Sequence, residues 1–242
     1  MIVLSVGMPR AGSGWHYNVI HDLMATTGCA DARDIREKYR LHKILTEVNC
    51  NIGVLSARRL AMVTVPALMG NTFVIKAHAG PSTWSRVLES IGLLRVTYIY
   101  RDPRDAMLSA FDFGQRALEK GRPNAFSHLT DFQKTLDFIT EYVHIWEKWI
   151  GEKTPLIARY EELLTVYDRE VTRLVGFLKL DSDQPKVRAV IEQYRPGQGE
   201  GQQGLHFYKG KIGRFRESYD ADQKKVMAER FGAALQKMGY EI

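Results

Sequence analysis

Cysteine is scarce in this chain, with two residues, Cys29 and Cys50, among 242. Two cysteines without a partner motif exclude a disulfide framework and a cysteine zinc site, so we expect reduced thiols and no bound metal. No apolar stretch reaches the length that spans a bilayer. The short apolar start at Met1 has no charged leader, which favours a buried strand over a signal peptide. We therefore expect a cytoplasmic protein with no membrane partner.

Long runs of charge are also missing. The chain has 34 Lys and Arg against 28 Asp and Glu, a formal net charge of +6, but no run of five or more basic residues. Because the positive charge is spread along the sequence and no recognition motif accompanies it, we expect no nucleic-acid partner. A basic chain is still suited to a small, concentrated anionic ligand.

Apolar runs alternate with amphipathic segments along the whole sequence. The runs at residues 2–6, 73–76, 95–100 and 156–158 predict strands. Helical periodicity predicts helices at 14–27, 103–114, 126–149, 168–178 and 221–238. This alternation indicates βαβ units, hence an α/β fold with a central parallel β-sheet flanked by helices. Without an internal repeat or a break in composition, we expect one domain over residues 1–242.

A glycine-rich loop, GMPRAGSGW, begins at Gly7 and joins the first predicted strand to the first predicted helix. Glycines let backbone N–H groups converge on a phosphate, and a helix N-terminus adds partial positive charge. Gly7 and Gly12 have the spacing of an ATP-hydrolysing P-loop, but Ser13 and Gly14 stand where that loop needs lysine and a hydroxyl. The loop therefore predicts an anion site whose cation is Arg10, and the alternative is a glycine turn that binds nothing.

The same loop resembles the 5′-phosphosulfate loop of sulfotransferases that use 3′-phosphoadenosine 5′-phosphosulfate (PAPS). That loop reads proline, a basic residue, serine or alanine, glycine, two hydroxyl residues and tryptophan. The matching residues are Pro9, Arg10, Ala11, Gly12, Ser13 and Trp15, and Gly14 departs at the second hydroxyl. The resemblance implies a P-loop-like domain, PAPS as donor with PAP (3′-phosphoadenosine 5′-phosphate) as product, and no required metal.

A second resemblance lies at the end of the third predicted strand, in the sequence YRDPRDAMLS. In the family, an arginine that ends a strand and a serine eight residues later bind the 3′-phosphate, and Arg101 and Ser109 have this spacing. A guanidinium offers a permanent, forked cation for such a group. The alternative is that Arg101 forms a surface ion pair with Asp105 and that Ser109 only packs.

A third and a fourth segment follow in the family's order. In HFYKGKIGRF, Lys209, Gly210 and Gly213 match a family loop that closes over the 3′-phosphate, while Tyr208 replaces its leading arginine. Lys211 is close enough in sequence to supply the missing cation, as is Arg214. The alternative is a solvated basic loop.

The fourth segment, YEEL, follows the last predicted strand. The resemblance makes Tyr160 a candidate adenine contact and Trp15 a candidate stacking surface. Aromatic residues at such places otherwise belong to the core.

Lys76 ends the second predicted strand and His78 follows it, in a segment that resembles the Lys-Thr-His segment of cytosolic sulfotransferases. The resemblance makes His78 the general base, with Lys76 and Arg10 stabilising the transferred group. Alternation along an extended segment places Lys76 and His78 on one face, and imidazole titrates near neutral pH. Glu37 or Glu47 would be the base if the enzyme used a carboxylate.

We therefore predict a sulfotransferase that transfers a sulfuryl group from PAPS to a hydroxyl or amine of a small-molecule acceptor. Residues 31–69, 112–127 and 194–206 are candidates for the acceptor pocket because they separate the donor motifs. A P-loop kinase of small molecules and a non-catalytic nucleotide-binding protein are the alternatives. The sequence leaves a homodimer open.

Overall fold

Four parallel strands form the centre of the computed structural model, which describes residues 1–197 and 211–242. They are β1 (Ile2–Gly7), β2 (Phe73–Ala77), β3 (Leu94–Tyr100) and β4 (Leu156–Arg159). Their order in the sheet is β2-β1-β3-β4, and each neighbouring pair is parallel. Each strand is one residue longer than the sequence predicted, and the predicted α/β fold with a parallel sheet is confirmed.

Helices connect and cover the strands. They are α1 (Ser13–Ala25), α2 (Ala32–Lys38), α3 (Ala57–Leu68), α4 (Thr83–Ser90), α5 (Pro103–Glu119), α6 (Phe132–Ile150), α7 (Tyr160–Thr165), α8 (Tyr167–Leu178), α9 (Pro185–Gln193), α10 (Phe215–Ser218) and α11 (Ala221–Met238). The five predicted helices correspond to α1, α5, α6, α8 and α11. Across residues 1–197 and 211–242, no helix combines the length and the apolar character needed to cross a bilayer.

The predicted start of the sixth helix at Phe126 is wrong. The helix begins at Phe132, where Asp131 caps it by accepting a hydrogen bond from the Lys134 N–H at 2.8 Å. Phe126 lies in a preceding turn, in which Asn124 Oδ1 accepts its N–H at 2.8 Å. The side chain of Asn124 competes with the helical hydrogen-bond pattern here, so the aromatic periodicity continues where the helix does not.

The sheet is buried on both faces. Ile2, Leu4 and Val6 of β1 face a core that α2, α3, α5, α6 and α11 complete. Val3 faces the other core, which α1, α7, α8 and α9 build. Strands covered on both sides need apolar residues at nearly every position, which explains the continuous apolar runs in the sequence.

The strand order creates a switch point at β1. The chain passes from β1 to β2 on one side and then to β3 on the other side of β1. At such a point the two connections leave in opposite directions, so a crevice opens outside the carboxyl ends of the strands. The loop between Gly7 and Ser13 lies at this end of the sheet.

Gly114 shows how tightly α5 packs on the turn before α6. A Cβ at Gly114 would overlap the carbonyl oxygen of Phe126, whereas a Cβ at Gly176 of α8 meets nothing within 4 Å. We expect Gly114→Ala to lower the free energy of unfolding by about 1–3 kcal/mol. The control Gly176→Ala should raise it by about 0.5–1 kcal/mol, because alanine favours a helix. Urea denaturation measures both, and an unchanged Gly114→Ala protein would contradict the close contact.

Candidate active site

The loop after β1 has a left-handed backbone at two positions. Arg10 has a φ of 64° and Gly12 a φ of 76°. A Cβ at Gly12 would also lie 2.5 Å from the ring of Tyr160 and collide with it, so only glycine fits there. No side chain caps α1 and its first turn carries no acidic residue. The positive end of the helix dipole is therefore left for an anion.

The loop forms one wall of a cleft of about 220 Å³ at the carboxyl ends of the strands. The predicted site residues that line it are Pro9, Arg10, Gly12, Ser13, Gly14, Trp15, Lys76, His78, Arg101, Ser109, Tyr160 and Lys211. Ala11 is instead fully buried in the core beneath the loop. Lys209 and Gly210 lie outside the described residues. Segments far apart in sequence thus converge on one cleft.

His78 is held in one tautomer. Its Nδ1 lies 2.6 Å from the carbonyl oxygen of Gly7. A carbonyl can only accept, so Nδ1 carries the proton and Nε2 keeps its lone pair. Burial and the charge of Lys76 lower the pKa of His78 to about 4, although the bond to Gly7 raises it. The imidazole is therefore neutral at pH 7, with a basic nitrogen available.

Lys76 is a buried cation that the strand holds in place. Its N–H donates to Cys50 O at 3.3 Å and its carbonyl accepts from the Ile52 N–H at 2.9 Å. Burial and the charge of Arg10 lower the pKa of its ammonium group to about 8. An anion that binds beside these two cations would stabilise their charged forms.

Arg10 contacts the residue predicted to bind the 3′-phosphate with Arg101. Its Nε donates to Ser109 Oγ at 3.3 Å, and its guanidinium carbon lies 4.3 Å from the ring centre of Phe113. Burial, Arg116 and Arg101 lower its pKa to about 10. The structure therefore joins the glycine loop to α5, a contact that the spacing of either motif alone does not indicate.

Arg101 forms the ion pair with Asp105 that the alternative gave, but the pair is buried and not on the surface. Its Nη2 donates to Asp105 Oδ2 at 3.3 Å and to Lys211 O at 2.9 Å. Its guanidinium carbon lies 4.7 Å from the ring centre of Tyr160. The Nε atom is buried with no hydrogen-bond partner in the described part of the chain. A buried donor without a partner costs free energy, and an oxyanion in the cleft would supply one.

Asp105 fastens the late segment to this site. Its side chain is fully buried, and its two oxygens accept the N–H groups of Gly213 at 2.7 Å and Phe215 at 3.0 Å. Lys211 reaches the cleft through this anchor. Arg214 lines the cleft as well, but its Nη2 donates to Asp112 Oδ2 at 2.7 Å, so its charge is offset.

Three lining residues were not predicted as site residues: Asn49, Phe113 and Phe126. They fall in two of the candidate acceptor segments, 31–69 and 112–127. For Phe113 and Phe126, the sequence feature that could have indicated a role in the cleft was their position shortly after the segment that carries Ser109. The fallback bases lie elsewhere, since Glu37 is exposed and pairs with Arg36, and Glu47 is exposed.

Comparison with known proteins identifies the family. The family model described as the sulfotransferase domain matches residues 2–239, and the chain belongs to this family. The predictions of a transferase and of the sulfotransferase family are therefore confirmed. No curated protein matches the sequence.

Three solved structures share the fold. Mouse sulfotransferase SULT7A1 complexed with PAP has a TM-score of 0.59 and 14% identity, over 97% of this chain and 84% of that chain. Retinol dehydratase in complex with androsterone and inactive cofactor PAP has a TM-score of 0.59 and 17% identity, over 97% of this chain and 80% of that chain. Retinol dehydratase in complex with retinol and PAP has a TM-score of 0.57 and 16% identity, over 97% of this chain and 81% of that chain. At these identities the likeness shows the fold alone.

Two histidines, the buried His16 and the half-buried His78, make the fold sensitive to acid. Burial, aided by Lys76, lowers the pKa of His16 to about 3 and that of His78 to about 4, from 6.5. Below pH 6.5 the unfolded chain binds protons that the folded chain does not, so stability falls as pH falls. His21, whose pKa Asp22 raises, acts in the opposite direction. We expect a net loss on the order of 1–2 kcal/mol between pH 6 and 5.

Denaturant unfolding at a series of pH values measures this slope. His78→Asn keeps a donor for Gly7 and removes one of the two neutral imidazoles, so its slope should be shallower. A slope parallel to that of the wild type would contradict the lowered pKa of His78.

Proposed function

We propose that this sulfotransferase transfers a sulfuryl group from PAPS to a hydroxyl or amine of a small-molecule acceptor and releases PAP. The observation that carries the proposal is the neutral His78, whose Nε2 has no hydrogen bond to any described residue, in one cleft with the buried Lys76 and the half-buried Arg10. The PAP complexes of the neighbours with the same fold support the choice of donor.

The residues divide the chemistry between them. His78 Nε2 accepts the proton of the acceptor as the acceptor oxygen or nitrogen bonds to sulfur and the S–O bond to the donor phosphate breaks. Lys76 and Arg10 stabilise the negative charge that the departing phosphate oxygen gains. A bound polyanion also raises the pKa of His78 from its low value, which strengthens the base where it is needed.

Other residues hold the nucleotide. Arg101 offers its unpartnered Nε to the 3′-phosphate, with Ser109 and Lys211 beside it. The N–H groups at the start of α1 face the 5′-phosphate, as the glycine loop suggests. We assign Tyr160 to the adenine. Trp15 is buried and stacks on Tyr167 at 6.2 Å between ring centres, so we assign it a supporting role behind the nucleotide.

The alternatives require a different donor. A kinase would bind magnesium-ATP, yet Ser13 and Gly14 line the cleft where a P-loop kinase needs lysine and a hydroxyl. A non-catalytic protein would have no use for the fixed tautomer of His78. The single domain, the cytoplasmic location and the homodimer stay predictions.

Calorimetry with PAP, 5′-AMP and magnesium-ATP tests the donor. We expect the wild type to bind PAP more tightly than 5′-AMP or magnesium-ATP. Arg101→Gln keeps hydrogen-bond donors for Asp105, and we expect it to lower the affinity for PAP about 10- to 100-fold. The affinity for 5′-AMP should hardly change, because it lacks the 3′-phosphate. An equal loss for both nucleotides would remove Arg101 from the 3′-phosphate, and a preference for magnesium-ATP would revive the kinase.

The base is tested by a second variant. His78→Asn should lower turnover about 10²- to 10⁴-fold with PAPS and a panel of phenol, alcohol and amine acceptors. Its affinity for PAP should remain within a few fold of the wild type, because the amide can still donate to Gly7. Unchanged turnover with any acceptor that the wild type sulfates would exclude His78 as the base.

A further inference from the structure

Asn49 lies in an unusual turn at the edge of the cleft. Asn49 has a φ of 58° and the following Cys50 a φ of 44°. Two consecutive non-glycine residues in the left-handed region are uncommon, although asparagine tolerates it better than most. Such strained residues persist where the surrounding structure fixes them, and they cluster at functional sites.

Hydrogen bonds close this turn on itself. The Thr46 N–H donates to Asn51 O at 3.0 Å, and the Asn51 N–H donates to Thr46 Oγ1 at 3.0 Å. The same Oγ1 donates to Val48 O at 2.8 Å. These hydrogen bonds join Thr46 to Val48 and Asn51, and they hold the turn around Asn49 without any contribution from the Asn49 side chain.

The turn is also fastened to Lys76. The Lys76 N–H donates to Cys50 O and its carbonyl accepts the Ile52 N–H, so this short segment pairs with β2 as an outer parallel bridge. The backbone at Asn49 is therefore fixed relative to the backbone of Lys76. Asn49 lines the cleft together with Lys76 and His78, and it makes no hydrogen bond within the described residues.

We propose that Asn49 Nδ2 donates a hydrogen bond to an oxygen of the sulfuryl group, an inference that rests on the proposed function. A carboxamide offers two N–H donors without adding to the charge of Arg10 and Lys76. Gly14 lines the same cleft and has no side chain to offer. Because the turn is already fixed, Asn49 meets the sulfuryl oxygen without reorganisation, as electrostatic stabilisation of a transferring group requires.

The affinities for PAPS and PAP separate this role from a structural one. PAP lacks the sulfuryl group, so removal of the carboxamide should weaken only PAPS. Asn49→Gly keeps the left-handed backbone and deletes the amide, and we expect PAPS to bind about tenfold more weakly than to the wild type. Asn49→Asp is isosteric and places a negative charge at the same point, so its loss for PAPS should be larger. Asn49→Gly should bind PAP within about twofold of the wild type. The charge of Asn49→Asp opposes both anions, so this variant should also lose affinity for PAP, but less than for PAPS.

Lys179→Gly is the matched control, since Lys179 has a φ of 59° and is exposed at the end of α8. This variant relieves a left-handed residue outside the cleft and should leave both affinities unchanged. Equal losses for PAPS and PAP in the Asn49 variants, or no loss, would overturn the assignment of Asn49. Failure of the wild type to bind PAP would instead overturn the proposed function.

Discussion

The main physical constraint on this structure is the electrostatic repulsion among three cations, Arg10, Lys76 and Arg101, that share one cleft with little exposure to solvent. Arg10, Lys76 and Arg101 are brought to one cleft from a loop and two strand ends, and burial already disfavours the charged forms of Arg10 and Lys76. Asp105 offsets Arg101 in part, but Lys76 has no carboxylate within ion-pair distance in the described part of the chain. A protein that keeps such a cluster bears a cost in stability that an anionic ligand removes.

The carboxylates near the cleft hold the scaffold. Asp105 uses both oxygens on the backbone of the segment that carries Lys211. Asp102 caps α5 and pairs with Arg104 at 2.8 Å, and Glu161 accepts the Asp102 N–H at 3.2 Å. These bonds tie the ends of β3 and β4 together behind the cleft. The carboxylates therefore hold the elements around the cleft, while the charged side chains that line the cleft are cations.

The sequence predicted those parts of the fold and site that local patterns determine. The four strands were found because both faces of the sheet are buried, which makes their apolar runs continuous. The helices α2, α4 and α9 were missed because they are short, with seven, eight and nine residues, and bury only one or two residues each. The predicted site residues at the ends of strands line one cleft, because parallel strands bring their carboxyl ends to one edge.

What the sequence did not indicate depends on tertiary contacts. Asn49 reaches the cleft because two consecutive residues have a left-handed backbone and the segment pairs with Lys76. Neither feature can be recognised from the amino-acid composition. Phe113 and Phe126 lie beside Arg10 only because Gly114 lets α5 approach the turn at Asn124. An aromatic residue in a helical pattern otherwise indicates core.

The position of β1 has a consequence for synthesis of the chain on the ribosome. This strand is made before β2 and β3, yet it pairs with both of them in the middle of the sheet. Until β2 has left the exit tunnel both edges of β1 are open, and one edge stays open until β3 has emerged; exposed apolar segments of this kind are ones that chaperones bind. Gly12 completes its loop only against Tyr160. Lys211 also lines the cleft, so the cleft can be complete only after the segment that carries Lys211 has emerged.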